Sequence, residues 1–414
     1  LSKIKILTLS DHPLSPSGVG TQTKYFCESL LKTGRYSIVS LGGAIKHQNY
    51  QHVHVDPYGK DWKIVPVDGY GTQEMIRSVI KTEGIDLLWF MTDPRFWGWL
   101  WEIENEIRPL CPMVYHHVWD NFPAPYFNRD FYLSNDHIVT ISKVTHDIVK
   151  EVAPEVPTTY LPHSVNSHTF KPLAPFEIEE IRKRSLQEED RDKVVFFWNN
   201  RNARRKQSGT LIFWFKEWLD KENLHDNACL IMHTEPKDPH GQDLEHIIQH
   251  LGLKDRQVML STKKLAQEHL AELYNLVDCT INISDAEGFG LATLESLSCG
   301  TPIIATMTGG LQEQVTDGNE EFGVGLIPRS KAVIGSQQVP YIYEDRVDKA
   351  QFHSALSKMY NIGKVGRRQI GALGRKHVEE NYNFEHLQTK WVELIDKIIE
   401  QKGTYSGIRF KEVA

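Results

Sequence analysis

The stretch Ser284-Asp-Ala-Glu-Gly-Phe-Gly-Leu-Ala-Thr-Leu-Glu-Ser-Leu-Ser-Cys-Gly-Thr-Pro302 follows a short apolar run, Cys279 to Ile283, and leads into another, Pro302 to Ala305. Strand, glycine-rich turn, helix and strand in that order are the grammar of a parallel β-α-β unit. Upstream, Val194 to Trp198, Cys229 to Met232 and Val258 to Leu260 are further candidate strands between longer amphipathic segments. The amino-terminal half repeats the alternation with Ile4 to Leu9, Ile38 to Leu41, Asp86 to Phe90, Met113 to Tyr115 and His137 to Ile141. Between the two series lie Pro154, Pro157, Pro162, Pro172 and Pro175, a window that cannot sustain a helix and marks a domain boundary. Near-continuous apolar strands joined by helix-length connections imply parallel sheets covered on both faces, with ligands beyond the carboxyl ends of the strands. The expected fold is α/β, with two Rossmann-like, doubly wound parallel-sheet domains, residues 1–165 and 166–383, facing across a cleft. Leu387, Trp391, Leu394, Ile395 and Ile398 recur at helical spacing, so residues 384–414 should carry a terminal amphipathic helix.

A chain of 414 residues is long enough for two or three domains at about 150 residues each. Hydrophobic residues at 40% and charged residues at 24% exclude a disordered or fibrous protein. The net charge of -7, without a long Lys/Arg block, argues against nucleic acid as a partner. Cys27, Cys111, Cys229, Cys279 and Cys299 are scattered and include no C-x-x-C pair, so neither a disulfide framework nor a cysteine zinc site is expected. Asp93, Pro94 and Arg95 interrupt the most lipid-like stretch, Leu87 to Trp101, which is also too short to span a bilayer. From the strand-like run that begins at Lys3, no signal peptide is expected within this sequence, which lacks an initiator Met. The expectation is a cytoplasmic protein with at most peripheral membrane contact.

Glu287 and Glu295 carry the first chemical signal. If most of the interval between them is helical, they stand about 12 Å apart, wider than the roughly 5 to 9.5 Å at which two carboxylates act on one glycosidic bond. A hydrolase pair is therefore excluded. Two carboxylates at that separation, with a glycine-rich helix N-terminus near the first, can hold hydroxyls at either end of an anion bound on backbone N–H groups. A sugar nucleotide has that layout. The alternative is that both carboxylates simply complement the helix dipole.

Glu287 and Glu295 enclosing Gly288-Phe289-Gly290, then Cys299-Gly-Thr-Pro302, then Gly309-Gly-Leu-Gln-Glu313, resemble the retaining GT-B glycosyltransferases of family 4, the glycosyl transferases group 1. The resemblance implies that Glu287 contacts the donor sugar and Glu295 the nucleotide ribose. It places Arg201 and Lys206, five positions apart after the strand Val194 to Trp198, on the donor diphosphate. Backbone N–H groups from Gly288, Phe289, Gly290 and Leu291 would join them, and Arg204 and Arg205 are extra cations. In the first domain it implies roles for Gly18 and Gly20, which follow the first strand and precede a helix-like run from Thr21. Family members usually carry adjacent glycines where this chain has Ser17-Gly18. The family's active-site histidine aligns best with His116 and second with His117. Tyr160 to Pro172 resembles the interdomain signature, with His163, Ser164 and Asn166 replacing its usual polar residues. The last segment would cross back onto the first domain.

The implied activity is transfer of a hexose, with retention and without a metal or other cofactor, from a nucleoside-diphosphate sugar to a hydroxyl of a carbohydrate, glycolipid or glycoprotein acceptor. Family frequency favours GDP-mannose, with a UDP-sugar as the alternative donor, in glycan or polysaccharide synthesis. Rival readings are another GT-B enzyme such as a sugar-nucleotide epimerase or a phosphorylase, a catalytically silent nucleotide-sugar binding subunit, and a nicotinamide dehydrogenase, for which Gly18 and Gly20 lack a third glycine. His246 and His250 read as a solvated helix face and Asp190-Arg-Asp192 as surface. Trp89, Trp97, Trp99, Trp101 and Trp119 read mostly as packing residues, with one or two available to stack a sugar.

Overall fold

The computed structural model describes residues 2–253 and 256–407. The chain divides into two units. The first holds the chain up to Ser164, Gly335–Ile342 and the chain from Phe384 onward; the second holds Val165–Ile334 and Tyr343–Asn383.

The first unit is built on β1 (Ile4–Asp11), β2 (Tyr36–Gly43), β3 (Val53–Val55), β4 (Gly59–Pro66), β5 (Leu87–Thr92), β6 (Met113–His117), β7 (His137–Thr140) and β8 (Thr158–Tyr160). They form one sheet in the order β3-β4-β2-β1-β5-β6-β7-β8, parallel except for β3 against β4. Both faces are covered, which is why strands such as β5 read as unbroken apolar runs. Leu7, Leu9, Leu88 and Phe90 enter one core, while Ile6, Leu87, Trp89 and Met91 enter the other. The helices Gly18–Leu31 and Phe384–Gln401 close the second core, with Trp391 edge-on to Phe26 at 4.9 Å. Trp89, Trp97, Trp101 and Trp119 are buried, and Trp99 is partly so.

The second unit carries β9 (Val194–Asn199), β10 (Ala228–His233), β11 (Val258–Ser261), β12 (Cys279–Asn282), β13 (Ile303–Thr306) and β14 (Gly323–Leu326). This sheet is parallel throughout, in the order β11-β10-β9-β12-β13-β14. A separate pair, β15 (Ser330–Ile334) with β16 (Ile342–Arg346), follows it. Because β9 lies between β10 and β12, the chain leaves the carboxyl ends of β9 and β12 in opposite directions, and that divergence opens a crevice.

Several sequence expectations need correction. Pro175 opens a helix, Pro175–Ser185, within the window expected to exclude one, since a first-turn proline loses no intrahelical bond. Asp190 is not surface: it is 1% exposed and held by Lys193 at 2.8 Å and Arg256 at 3.1 Å. The first helix starts at Gly18 rather than Thr21, because Ser17 caps it by accepting from the Gly20 N–H at 3.0 Å. The strands β3, β4, β8, β14, β15 and β16 were not anticipated. All five cysteines are buried and unpaired. Among the described residues no helix is long and apolar enough to cross a membrane.

Candidate functional site

The crevice of the second unit gathers two loops. After β9, a short turn Arg204–Lys206 leads through Gln207, in the left-handed region at φ 59°, into the helix Ser208–Glu222. After β12, Ser284 to Gly290 leads into the helix Leu291–Ser298. That helix starts late, so only Leu291 to Glu295 of the interval between the glutamates is helical, and the separation reckoned from helical rise does not apply. Gly290 explains the late start. Its φ is +95°, and a Cβ there would stand 2.6 Å from Leu311 Cδ2 and 2.9 Å from Thr293 Oγ1. Gln314 fastens the turn by donating from Nε2 to the carbonyls of Phe289 at 2.8 Å and Gly290 at 3.0 Å. Gly310 packs so closely below that its Cβ would lie 2.6 Å from Phe289 Cα.

Lys206 and Glu287 meet in a close ion pair, both side chains largely buried. Asn282 Nδ2 also donates to Glu287 Oε2 at 3.3 Å, and Arg205 donates to the Ala286 carbonyl at 2.7 Å. Burial pushes the Glu287 carboxyl up, but Lys206 and Arg205 more than offset it and hold the group below the usual range. Glu295 is different. Burial pushes its carboxyl up to about 7, only partly opposed by the Tyr274 hydroxyl, which donates to Oε2 at 2.9 Å. Tyr274 in turn accepts from Asn199 Nδ2 at 2.9 Å. Two glutamates eight positions apart thus have unlike electrostatics.

Arg201 is exposed and engaged elsewhere, with Nε donating to Asp238 at 2.8 Å and a terminal nitrogen 2.9 Å from His240 Nδ1. Asp238, bound by Arg201 and by the His240 N–H, is held down at about 2. Phe289 is buried, its ring 5.7 Å from that of Tyr382, so its side chain packs. Gly288 and Leu291 flank it on the same turn.

In the first unit, His116 and His117 end β6 and point to opposite faces. His117 is a satisfied core residue, with Nδ1 3.0 Å from the Tyr115 hydroxyl and Nε2 2.7 Å from that of Tyr132; burial pushes it down to about 3. His116 is 3% exposed among the rings of Trp89, Trp391 and His163, and neither ring nitrogen has a hydrogen-bond partner among the described residues. Burial first, then His163 and His117, hold it neutral, well below the ordinary imidazole range. Gly18 is exposed at the helix start, whereas Gly20 is buried. A Cβ on Gly20 would meet Ser15 Oγ at 2.4 Å and the His12 carbonyl at 2.7 Å, so the close approach it permits is that of its own loop.

The sequence reading missed Asn199, Tyr274 and Asn282, which carry no motif of their own, and named Arg205 only as an extra cation. His246 and His250 lie exposed on the short helix Leu244–His250.

Comparison with known proteins fits this geometry. Residues 177–332, which include both loops, match the family Glycosyl transferases group 1. D-inositol 3-phosphate glycosyltransferase 2 of Catenulispora acidiphila is 34% identical over 115 residues, 27% of this chain and 26% of that protein. The phosphatidylinositol N-acetylglucosaminyltransferase GPI3 subunit of Saccharomyces cerevisiae is 24% identical over 244 residues, 58% of this chain and 51% of its own length. The chain thus spans about a quarter to a half of these curated relatives. Sucrose-phosphate synthase from Thermosynechococcus elongatus superposes with a TM-score of 0.76 at 17% identity, covering 96% of this chain and 100% of that one. Anabaena HepE, solved in complex with UDP, gives a TM-score of 0.69 at 14% identity, with 96% and 100% covered. The fold is therefore that of the GT-B glycosyltransferases, and residues 177–332 carry the signature of the Glycosyl transferases group 1 family.

Proposed function

We propose that this protein is a retaining glycosyltransferase that moves a hexose, mannose from GDP-mannose in first place, to an acceptor hydroxyl in glycan or polysaccharide synthesis. The observation that carries the reading is the pairing of Lys206 with Glu287 at the crevice, one turn of glycine-rich backbone away from the helix that bears Glu295. Glu295 would accept from the ribose hydroxyls and Glu287 from a sugar hydroxyl. Lys206, with Arg201 released from Asp238, would neutralise the diphosphate together with the backbone N–H groups of Gly288 to Leu291. As the bond between the anomeric carbon and the phosphate oxygen breaks, charge grows on that oxygen, and the largely buried Lys206, with the exposed Arg201, stabilises it without a metal. The acceptor oxygen bonds to the anomeric carbon on the same face, and its proton passes to the departing phosphate. His116, neutral and with both ring nitrogens unengaged, suits a hydrogen bond to a sugar hydroxyl.

The test is calorimetric titration with GDP, UDP and ADP in the presence of a chelator, followed by transfer assays with the corresponding hexose donors. Tight, phosphate-dependent binding of one nucleotide supports the reading and selects the donor base. Absence of binding by all three refutes it.

A further inference from the structure

The two loops of the crevice are cross-linked by side chains that no motif assigns. Arg204 donates to both carboxylate oxygens of Glu344, at 3.1 Å and 2.5 Å. Arg346 donates to Glu344 at 2.9 Å and forms a close ion pair with Asp285. Asp285 also accepts from Gln207 Nε2 at 2.7 Å. The backbone follows the same route, because the Asp285 N–H donates to the Arg205 carbonyl at 2.8 Å and the Asp345 N–H to the Asp285 carbonyl at 2.8 Å. Glu344, Asp345 and Asp285 are all buried. Strand β16 therefore touches the loop of Lys206 through Arg204 and the loop of Glu287 through Asp285. Both ties lie immediately beside the residues that would bind the donor: Arg204 is two positions from Lys206, and Asp285 two from Glu287.

Gln207 adds a second reason for such a tie. A residue other than glycine in the left-handed region persists only where its surroundings enforce it. Here its side-chain amide is fixed on Asp285, and its backbone sits between Lys206 and the helix Ser208–Glu222. If Asp285 moves, the Gln207 amide keeps only its bond from Thr210 Oγ1 at 2.7 Å, within its own helix, and loses its tie to the Glu287 loop.

We propose that Glu344 and Arg346 are positioning residues that hold the Lys206 and Glu287 loops in register for a nucleoside diphosphate, so that β16 sets donor affinity without touching the donor. This rests on the donor-site reading above for its ligand, but the tie itself is a property of the free protein. It is tested by Arg346→Met, which removes the guanidinium at similar length, and by Glu344→Gln, which keeps shape and removes charge. Hydrogen exchange of the ligand-free variants should quicken in peptides covering 203–207 and 284–290, and unchanged exchange in both variants would overturn the proposal. In calorimetry, affinity for GDP or UDP should fall at least tenfold in both variants, while affinity for guanosine or uridine stays within twofold. Equal losses for nucleoside and diphosphate would also overturn it, since they would mark a general loosening rather than misplacement of Lys206. Arg346→Lys, which restores the charge, should recover part of the diphosphate affinity. If the wild type binds neither diphosphate, the donor-site reading fails, and the exchange experiment alone decides whether β16 ties the loops.

Discussion

Lys206 and Glu287 neutralise each other with side chains only 9% and 13% exposed, and the value of such a pair lies mainly in what happens when one partner leaves. Lys206→Met strands a buried carboxylate, and the expected cost is about 3–5 kcal/mol of unfolding free energy. Adding Glu287→Gln should return much of that loss, and urea denaturation of the two variants checks the order. The sign with pH follows as well. The Glu287 carboxyl lies below its ordinary range, so in the wild type it contributes stability above that range and loses it on acidification. In Lys206→Met the same carboxyl should titrate upward, and this variant should be most stable at mildly acid pH. Glu295 behaves oppositely. With its carboxyl raised to about 7 against an ordinary 4.5, the folded protein holds a proton that the unfolded chain has lost, so its contribution to stability falls as pH rises through that window. A ribose hydroxyl donating to the carboxylate favours its charged form. Affinity for the nucleoside, which carries no titrating phosphate, should therefore rise between pH 6 and 8, with proton release on binding. In Glu295→Gln the dependence should vanish; titrations in two buffers of different ionisation enthalpy measure both effects.

At the scale of elements, the turn between β12 and its helix depends on Gly290. An alanine there combines a φ of +95° with a Cβ 2.6 Å from Leu311 Cδ2, and the expected loss is about 1–3 kcal/mol. Leu311→Ala in the same chain would relieve the contact but not the backbone strain, so Gly290→Ala should stay destabilising in that background, as urea midpoints will show. The interior strands were legible in the sequence because burial on both faces leaves them few polar residues, as in Leu87-Leu88-Trp89-Phe90-Met91. Strands β3 and β4 were not, because exposed His54 and Lys60 interrupt their apolar pattern at the edge of the sheet. Strand β14, Gly-Val-Gly-Leu, looks like a turn until its neighbour β13 is seen: a Cβ on Gly323 would lie 2.0 Å from the Ile303 carbonyl. The site divides in the same way. Lys206, Glu287 and Glu295 sit at motif spacings and could be named from sequence, whereas Glu344 and Tyr274 act through partners 140 and 21 positions away, a distance no local pattern records.

The whole molecule has separate cores in its two units, and the second unit is made almost wholly from the interior of the chain, with the first closed by the segment from Phe384 onward. A protein so divided is not expected to unfold in one all-or-none step. Residues Leu387, Trp391, Leu394, Ile395 and Ile398 bind the terminal helix to the first unit's core, so Trp391→Ala should lower that unit's transition by an amount corresponding to about 3–5 kcal/mol. The residues assigned to the nucleotide all belong to the second unit. A nucleoside diphosphate at a hundred times its dissociation constant should therefore stabilise that unit by about 2.7 kcal/mol, while Trp391→Ala acts on the other. Scanning calorimetry of wild type, Trp391→Ala and Lys206→Ala, each with and without the nucleotide chosen by titration, separates the two effects. In the expected result two transitions resolve, the ligand raises one, Trp391→Ala lowers the other, and Lys206→Ala abolishes the ligand's shift. A ligand that raised the transition lowered by Trp391→Ala, and left the other where it was, would place the nucleotide in the first unit and overturn the assignment of Lys206, Glu287 and Glu295 to it.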